Sequence, residues 1–168
     1  MANQAMNYLA SGKAPGMMGN AQTNLAPYAV FDCKDGWLIL ATGNDGQYQR
    51  LCRILELDDM ATAPEFLTNA DRISNRVVMT DRITAATKTW AKVDLLAACE
   101  AEGVPAGPIN SLDEVFADPQ VIARKLQIAP EGLPGLRSPM TFSGAELALD
   151  RPAPRLGQHQ DEVLRDLG

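Results

Sequence analysis

At 168 residues the chain is long enough for one domain with an ordinary core, or for a smaller domain carrying arms. It is 46% hydrophobic and 21% charged, the balance of a globular protein, and its net charge of −6 comes with no cluster of Lys and Arg. Nucleic acid and anionic membrane surfaces are held through such clusters, so neither is expected as a partner. No apolar run approaches the roughly 18 residues of a membrane span. The start, Met1-Ala2-Asn3-Gln4, lacks the basic and apolar regions of a signal peptide, and a cytoplasmic location is expected.

Residues 2 to 11 read as a short helix with Met6, Leu9 and Ala10 near one face, stopped at Ser11-Gly12. The Gly- and Pro-rich stretch from Lys13 to Asn20 propagates neither helix nor strand and is read as a linker arm. A helix this short has no independent stability in water, so it needs a surface to pack on. From Tyr28 the pattern alternates: Tyr28 to Cys33 and Trp37 to Thr42 flank Lys34-Asp35-Gly36, a hairpin in which Gly36 supplies the positive φ.

A helix over about 46 to 56 follows, with Tyr48, Leu51, Cys52 and Leu55 on one stripe. Thr68 or Asn69 caps a long helix to about Lys88 that carries Ile73, Val77 and Ile83 inward and leaves Arg72, Arg76 and Arg82 solvated. A further helix over about 92 to 102 stops at Gly103. The prolines of Val104 to Ile109 force an extended piece that suits an edge strand beside the hairpin. Ser111 and Glu114 form a capping box, and Asp118-Pro119 is an N-cap followed by proline at the first helical position. Gln127 to Ala129 and Arg137 to Phe142 read as extended, and a last short helix runs from about Gln160 to Leu167. The fold class is therefore α+β: a small antiparallel sheet (28–33, 37–42 and extended edge pieces) packed with several helices. The expected domains are an N-terminal arm (1–26), a compact centre (27–143) and a C-terminal linker and helix (144–168).

Candidate chemistry is sparse. Cys33, Cys52 and Cys99 are odd in number, form no C-x-x-C pair and read as buried thiols. The only histidine, His159, lies in a polar tail, which argues against a Cys–His nucleophile and against structural zinc. No metal site and no resident cofactor are expected. The one stretch that concentrates polar groups is Gly43-Asn44-Asp45-Gly46-Gln47, between the second hairpin strand and the next helix. A helix's first N–H groups point out past such a loop, a setting that suits a small ligand. The simpler reading of the same spacing is a strand-to-helix turn with Asn44 or Asp45 as N-cap.

Taken together, the segments resemble the C-terminal part of the family III CoA-transferases, which include formyl-CoA and carnitine CoA-transferases and the related α-methylacyl-CoA racemases. The matching pieces are Gly19-Asn20 with Ala26-Pro27-Tyr28, Asp35-Gly36, Gly43 to Gln47, Pro64-Glu65-Phe66 and Asn69-Ala70-Asp71-Arg72. Gly103 to Pro108, Ala117 to Val121, Ser138-Pro139 and the tail Ala153 to Leu164 continue them in family order. The resemblance implies a truncated piece, a small domain with its connecting arms. Its partners would be an N-terminal large domain that supplies the nucleophilic aspartate and a second copy in an interlocked homodimer. No catalytic residue is then expected in this chain, and a coenzyme A thioester is the substrate of the full-length protein, together with a carboxylic acid.

The family resemblance also makes Gly43, Asn44, Asp45, Gly46 and Gln47 a glycine-rich lid over reactive intermediates. Gly46-Gln47 after Asp45 leans toward the transferases, since the racemase branch tends to carry a glutamate here. An acyl-CoA racemase or epimerase fragment and a non-catalytic α+β interaction module stand as alternatives, and the fragment alone is expected to be inactive. The family's usual Arg near position 17 and His-Pro after Gly-Asn-x are replaced by Met17 and by Gln22-Thr23. His159 fits the family tail, where it suits holding the tail against the large domain.

Overall fold

The computed structural model describes residues 2–168; Met1, the first residue of the expected N-terminal arm, lies outside the described residues. The chain divides into two compact units, Met1–Ile109 and Asn110–Gly168. Among the described residues no helix is long and apolar enough to cross a membrane. Both units combine helices with short antiparallel sheets, so the fold is α+β as the pattern predicts.

The first unit opens with α1 (Ala2–Ser11), whose Met6 and Leu9 are exposed. Strands β1 (Tyr28–Cys33) and β2 (Gly36–Ala41) then pair antiparallel, Tyr28 opposite Ala41 and Cys33 opposite Gly36. Gly36 closes the turn at φ 152°, a value that a side chain disfavours. Alternation turns Ala29, Phe31, Cys33, Leu38 and Leu40 into the core. There they meet Tyr48, Leu51, Cys52 and Leu55, which come from and just beyond α2 (Asp45–Ile54). Met60 from α3 (Asp58–Thr62) and Phe66 from the 3₁₀ turn Pro64–Phe66 complete that side.

The expected long helix is two helices, α4 (Asn69–Ser74) and α5 (Arg76–Thr87), divided at Asn75 with φ −107° and ψ 24°. The Asn75 side chain donates to the carbonyls of Glu65 and Asp71, both at 3.0 Å. Such local side-chain bonding competes with helix continuation. The break shifts the inward stripe: Met79, Ile83 and Thr87 are buried, whereas Val77, expected inside, is exposed. Arg72, expected in solvent with Arg76 and Arg82, is 1% exposed, and the other two are half-buried. Thr68 caps α4, and its N–H and hydroxyl hold the Asp71 carboxyl below the usual carboxylate range. The cap is thus complete at neutral pH and weakens as pH falls through that lowered value.

Helix α6 (Lys92–Ala101) adds Leu95 and Cys99 to the core, and Gly103 ends it at φ 63°. Strand β3 (Ala106–Ile109) pairs with β2, Leu38 opposite Pro108, giving the order β1-β2-β3. An edge strand tolerates Pro108 because its missing N–H interrupts no inner ladder.

The second unit follows its local signals. Glu114 accepts from the Ser111 N–H at 2.8 Å at the start of α7 (Leu112–Ala117). Asp118 accepts from the N–H groups of Gln120 and Val121 at the start of α8 (Pro119–Ala123). Strand β4 (Gln127–Ile128) pairs with β5 (Gly135–Leu136), so the expected 137–142 piece is displaced toward the turn. Just beyond β5 the Arg137 N–H donates to Leu126 O at 2.8 Å. Pro139, without an N–H, cannot extend a ladder. The unit closes with α9 (Gln160–Leu167), where Val163, Leu164 and Leu167 are exposed.

Two outcomes test this packing. Ile83→Ala should cost about 2–5 kcal/mol in a urea titration, while Val77→Ala changes stability by no more than about 0.5 kcal/mol. Burial pushes all three thiols up, Cys99 to about 11. Iodoacetamide at neutral pH should therefore label the native chain at least about tenfold more slowly than the denatured chain.

Candidate functional site

Residues 43 to 47 leave β2 and enter α2, and the loop bonds largely to itself. Asn44 is the N-cap, extended at φ −154° and ψ 168°, and its Oδ1 accepts from the Gln47 N–H at 2.9 Å. The Gln47 Oε1 turns back to accept from the Gly43 N–H at 2.7 Å. The first helical bond is Tyr48 N–H to Asn44 O at 3.1 Å, so the N–H groups of Asp45 and Gly46 precede the helix's own ladder. Of the two N-cap candidates the structure selects Asn44. Asp45 occupies the first helical position, where a carboxylate complements the helix dipole.

The Asp45 side chain, 54% exposed, is held by Arg72: Oδ1 accepts from Nη2 at 2.7 Å. Arg72 is the residue that reading the sequence missed. Its Nε–H donates to Ala26 O at 2.7 Å, and Nη1 donates to Phe66 O at 3.0 Å and Leu67 O at 3.2 Å. The guanidinium lies 4.4 Å from the centroid of the Tyr48 ring, a cation–π contact away from water. Burial pushes the Tyr48 hydroxyl up from its ordinary value, and that hydroxyl donates to Met60 O at 3.3 Å. A fixed cation is stable in this place because carbonyls and one carboxylate surround it. A signal existed: Arg72 and Arg76 continue the Met79–Ile83 stripe backward at steps of four and three residues.

The other end of the loop is tied by Thr42, buried, whose N–H and hydroxyl both donate to Pro27 O, at 3.1 and 3.0 Å. Pro27 follows a cis peptide bond from Ala26. Neither loop glycine has a positive φ. A Cβ at Gly43 would meet Gln47 Oε1 at 3.5 Å. One at Gly46 would meet Asn44 Oδ1 at 3.4 Å and Arg50 Nη1 at 3.6 Å. The Nε of Arg50 is buried without a partner, and its Nη2 donates weakly to Gly103 O at 3.4 Å. His159 lies in the second unit, where its ring meets Glu162 at 3.3 Å. Among the described residues no group of three or more His, Cys, Asp or Glu is placed to hold a metal ion.

Chemically, the arrangement presents a glycine-bearing loop whose one acidic side chain is engaged by a buried cation. The comparisons with known proteins agree with the resemblance. The family profile described as CoA-transferase family III matches residues 1–160. A succinate–glutarate CoA-transferase of Agrobacterium fabrum is 49% identical over 99% of this chain and 43% of its own length. The human succinyl-CoA:glutarate CoA-transferase is 31% identical over 97% of this chain and 38% of its own. The crystal structure of a CAIB/BAIF family protein from Brucella suis superposes with a TM-score of 0.87 at 48% identity. That match covers 99% of this chain and 44% of the other. The chain thus spans about two-fifths of the length of the curated relatives it matches. With its matched residues running nearly end to end, the chain belongs to CoA-transferase family III.

Proposed function

We propose that the chain is the small-domain part of an enzyme that moves CoA from an acyl-CoA to a free carboxylic acid. It acts with a large domain that carries the nucleophilic aspartate, within an interlocked homodimer. The similarity to relatives named for succinate and glutarate supports short dicarboxylic acids as donor and acceptor. In this reading residues 43–47 are a lid that shields acyl intermediates from water. The aspartate would attack the thioester carbonyl, forming an acyl anhydride and releasing the CoA thiolate, and water reaching that anhydride would waste the acyl group.

The observation that carries the lid is the pair of glycines. Gly43 and Gly46 stand where the resting backbone and its neighbours would accept alanine. Glycine in the first turn of a helix costs stability, and nothing in the resting loop repays it. What glycine offers here is room for a close approach and freedom to move. The engagement of Asp45 by Arg72 favours transfer over racemisation, because a general acid or base needs a carboxylate free to reach substrate.

Gly46→Ala separates the two demands. In the 168-residue chain it should raise stability by about 0.4–1 kcal/mol, read by urea unfolding. In the intact enzyme it should lower acyl transfer about tenfold or more and raise the share of acyl-CoA lost to hydrolysis. Unchanged partition between transfer and hydrolysis would overturn the lid. The 168-residue chain alone, given succinyl-CoA and glutarate, should show no CoA transfer; measurable turnover would refute the need for a large domain.

A further inference from the structure

The start and the centre of the 43–47 loop are tied to one dipeptide. Thr42 donates twice to Pro27 O, and Arg72, which holds Asp45, donates to Ala26 O. Only Gly43 and Asn44 lie between these anchors. Ala26 in turn ends the arm that leads from α1. Asn69 Oδ1 accepts from the Ala26 N–H at 3.1 Å, Asn69 Nδ2 donates to Asn24 O at 2.9 Å, and Arg76 Nη2 donates to Thr23 O at 3.0 Å. Helix α1 grips the same arm through Gln4 to Thr23 at 2.6 Å and Asn7 to Asn24 at 3.0 Å. Asn69 and Arg72 of α4 and Arg76 at the start of α5 thus hold the arm together, and Arg72 alone of the three also reaches the loop.

We propose that Arg72 is a positioning residue that couples the N-terminal arm to the lid, so that a displacement of residues 23–26 changes how open the 43–47 loop stands. The physical reason is the rigidity of the fork. A buried guanidinium that loses an acceptor is left uncompensated away from water, so it follows Ala26 O when the arm shifts. Its planar geometry aims Nε and Nη2 in fixed directions, and following one acceptor moves the other. Asp45 is carried along, and with it the first turn of α2. Lysine keeps the charge but not the fork, and it cannot transmit the shift. The catalytic consequence rests on residues 43–47 being the lid; the mechanical coupling does not.

Amide hydrogen exchange on the 168-residue chain tests the coupling. Asn69→Ala removes contacts to Asn24 and Ala26 and touches no loop atom. It should speed exchange about fivefold or more at Gly43–Gln47 as well as at Asn24–Ala26. Asp45→Asn, made at the other end, should loosen both segments reciprocally. In an Arg72→Lys background Asn69→Ala should leave loop exchange unchanged; if that background does not fold, the two single variants decide. A loop that stays within about twofold of the parent while the arm loosens would overturn the proposal. Measuring the hydrolysis share of turnover for Asn69→Ala in the intact enzyme separates the two readings. Coupled exchange with an unchanged hydrolysis share would sink the lid and leave the coupling standing.

Discussion

The first unit is built around a guanidinium that has no access to water. Arg72 is 1% exposed and satisfies its charge with the carbonyls of Ala26, Phe66 and Leu67, the carboxylate of Asp45 and the face of Tyr48. These five partners come from three segments: the end of the arm, the 3₁₀ turn with the residue after it, and α2. A buried cation is tolerated only if all of these arrive together, because one lost acceptor leaves a charge without water to replace it. The interaction specifies geometry more than it adds stability. It sets where the arm enters the sheet and where the loop after β2 turns into helix.

That constraint explains why a polar, glycine-bearing loop is well defined on a small sheet. Thr42 pins its upstream end and Asp45 its centre, while the Gln47 and Asn44 side chains accept from the N–H groups of Gly43 and Gln47. Such a loop has two properties at once. It is fixed to the core at two points, and each anchor is followed by a glycine whose conformation is not forced by φ. A lid needs both, since a flap without hinges closes imprecisely and one without flexible residues does not open. On the proposed function, such a loop would act over the CoA transfer for which the succinate–glutarate relatives are named.

The second unit is held differently. Its elements are short, its helices carry no buried residue, and two of them start at a cap: α7 at Ser111 with Glu114, and α8 at Asp118 with Pro119. Local capping orders short segments without a large core, and each such cap contributes about 1 kcal/mol. The exposed Val163, Leu164 and Leu167 of α9 and the exposed Met6 and Leu9 of α1 show that the terminal helices leave much of their apolar faces in solvent. Helices of this length draw their stability from packing rather than propensity.

Features that depend on residues a few positions apart were legible in the chain itself. The hairpin at Asp35-Gly36, a cap at Thr68 or Asn69 that the structure places at Thr68, the stop at Gly103 and the box at Ser111 and Glu114 all have short range, and they are present in the fold. The division at Asn75 was not legible, because its cause is an asparagine side chain choosing the carbonyl of Glu65, ten residues back, over its own helix. Arg72 escaped for the same reason at greater range. Its partners lie 27 and 46 residues away in Asp45 and Ala26, and only packing brings them to one point. A charged residue in a helix reads as solvated until the surrounding chain supplies acceptors for it. Periodicity and turn chemistry thus determined most of the elements, and the order of the segments carried the resemblance to the family. The fold alone decided that Asp45 is an anchored residue and Arg72 its anchor, because burial of a charge is a property of everything packed around it.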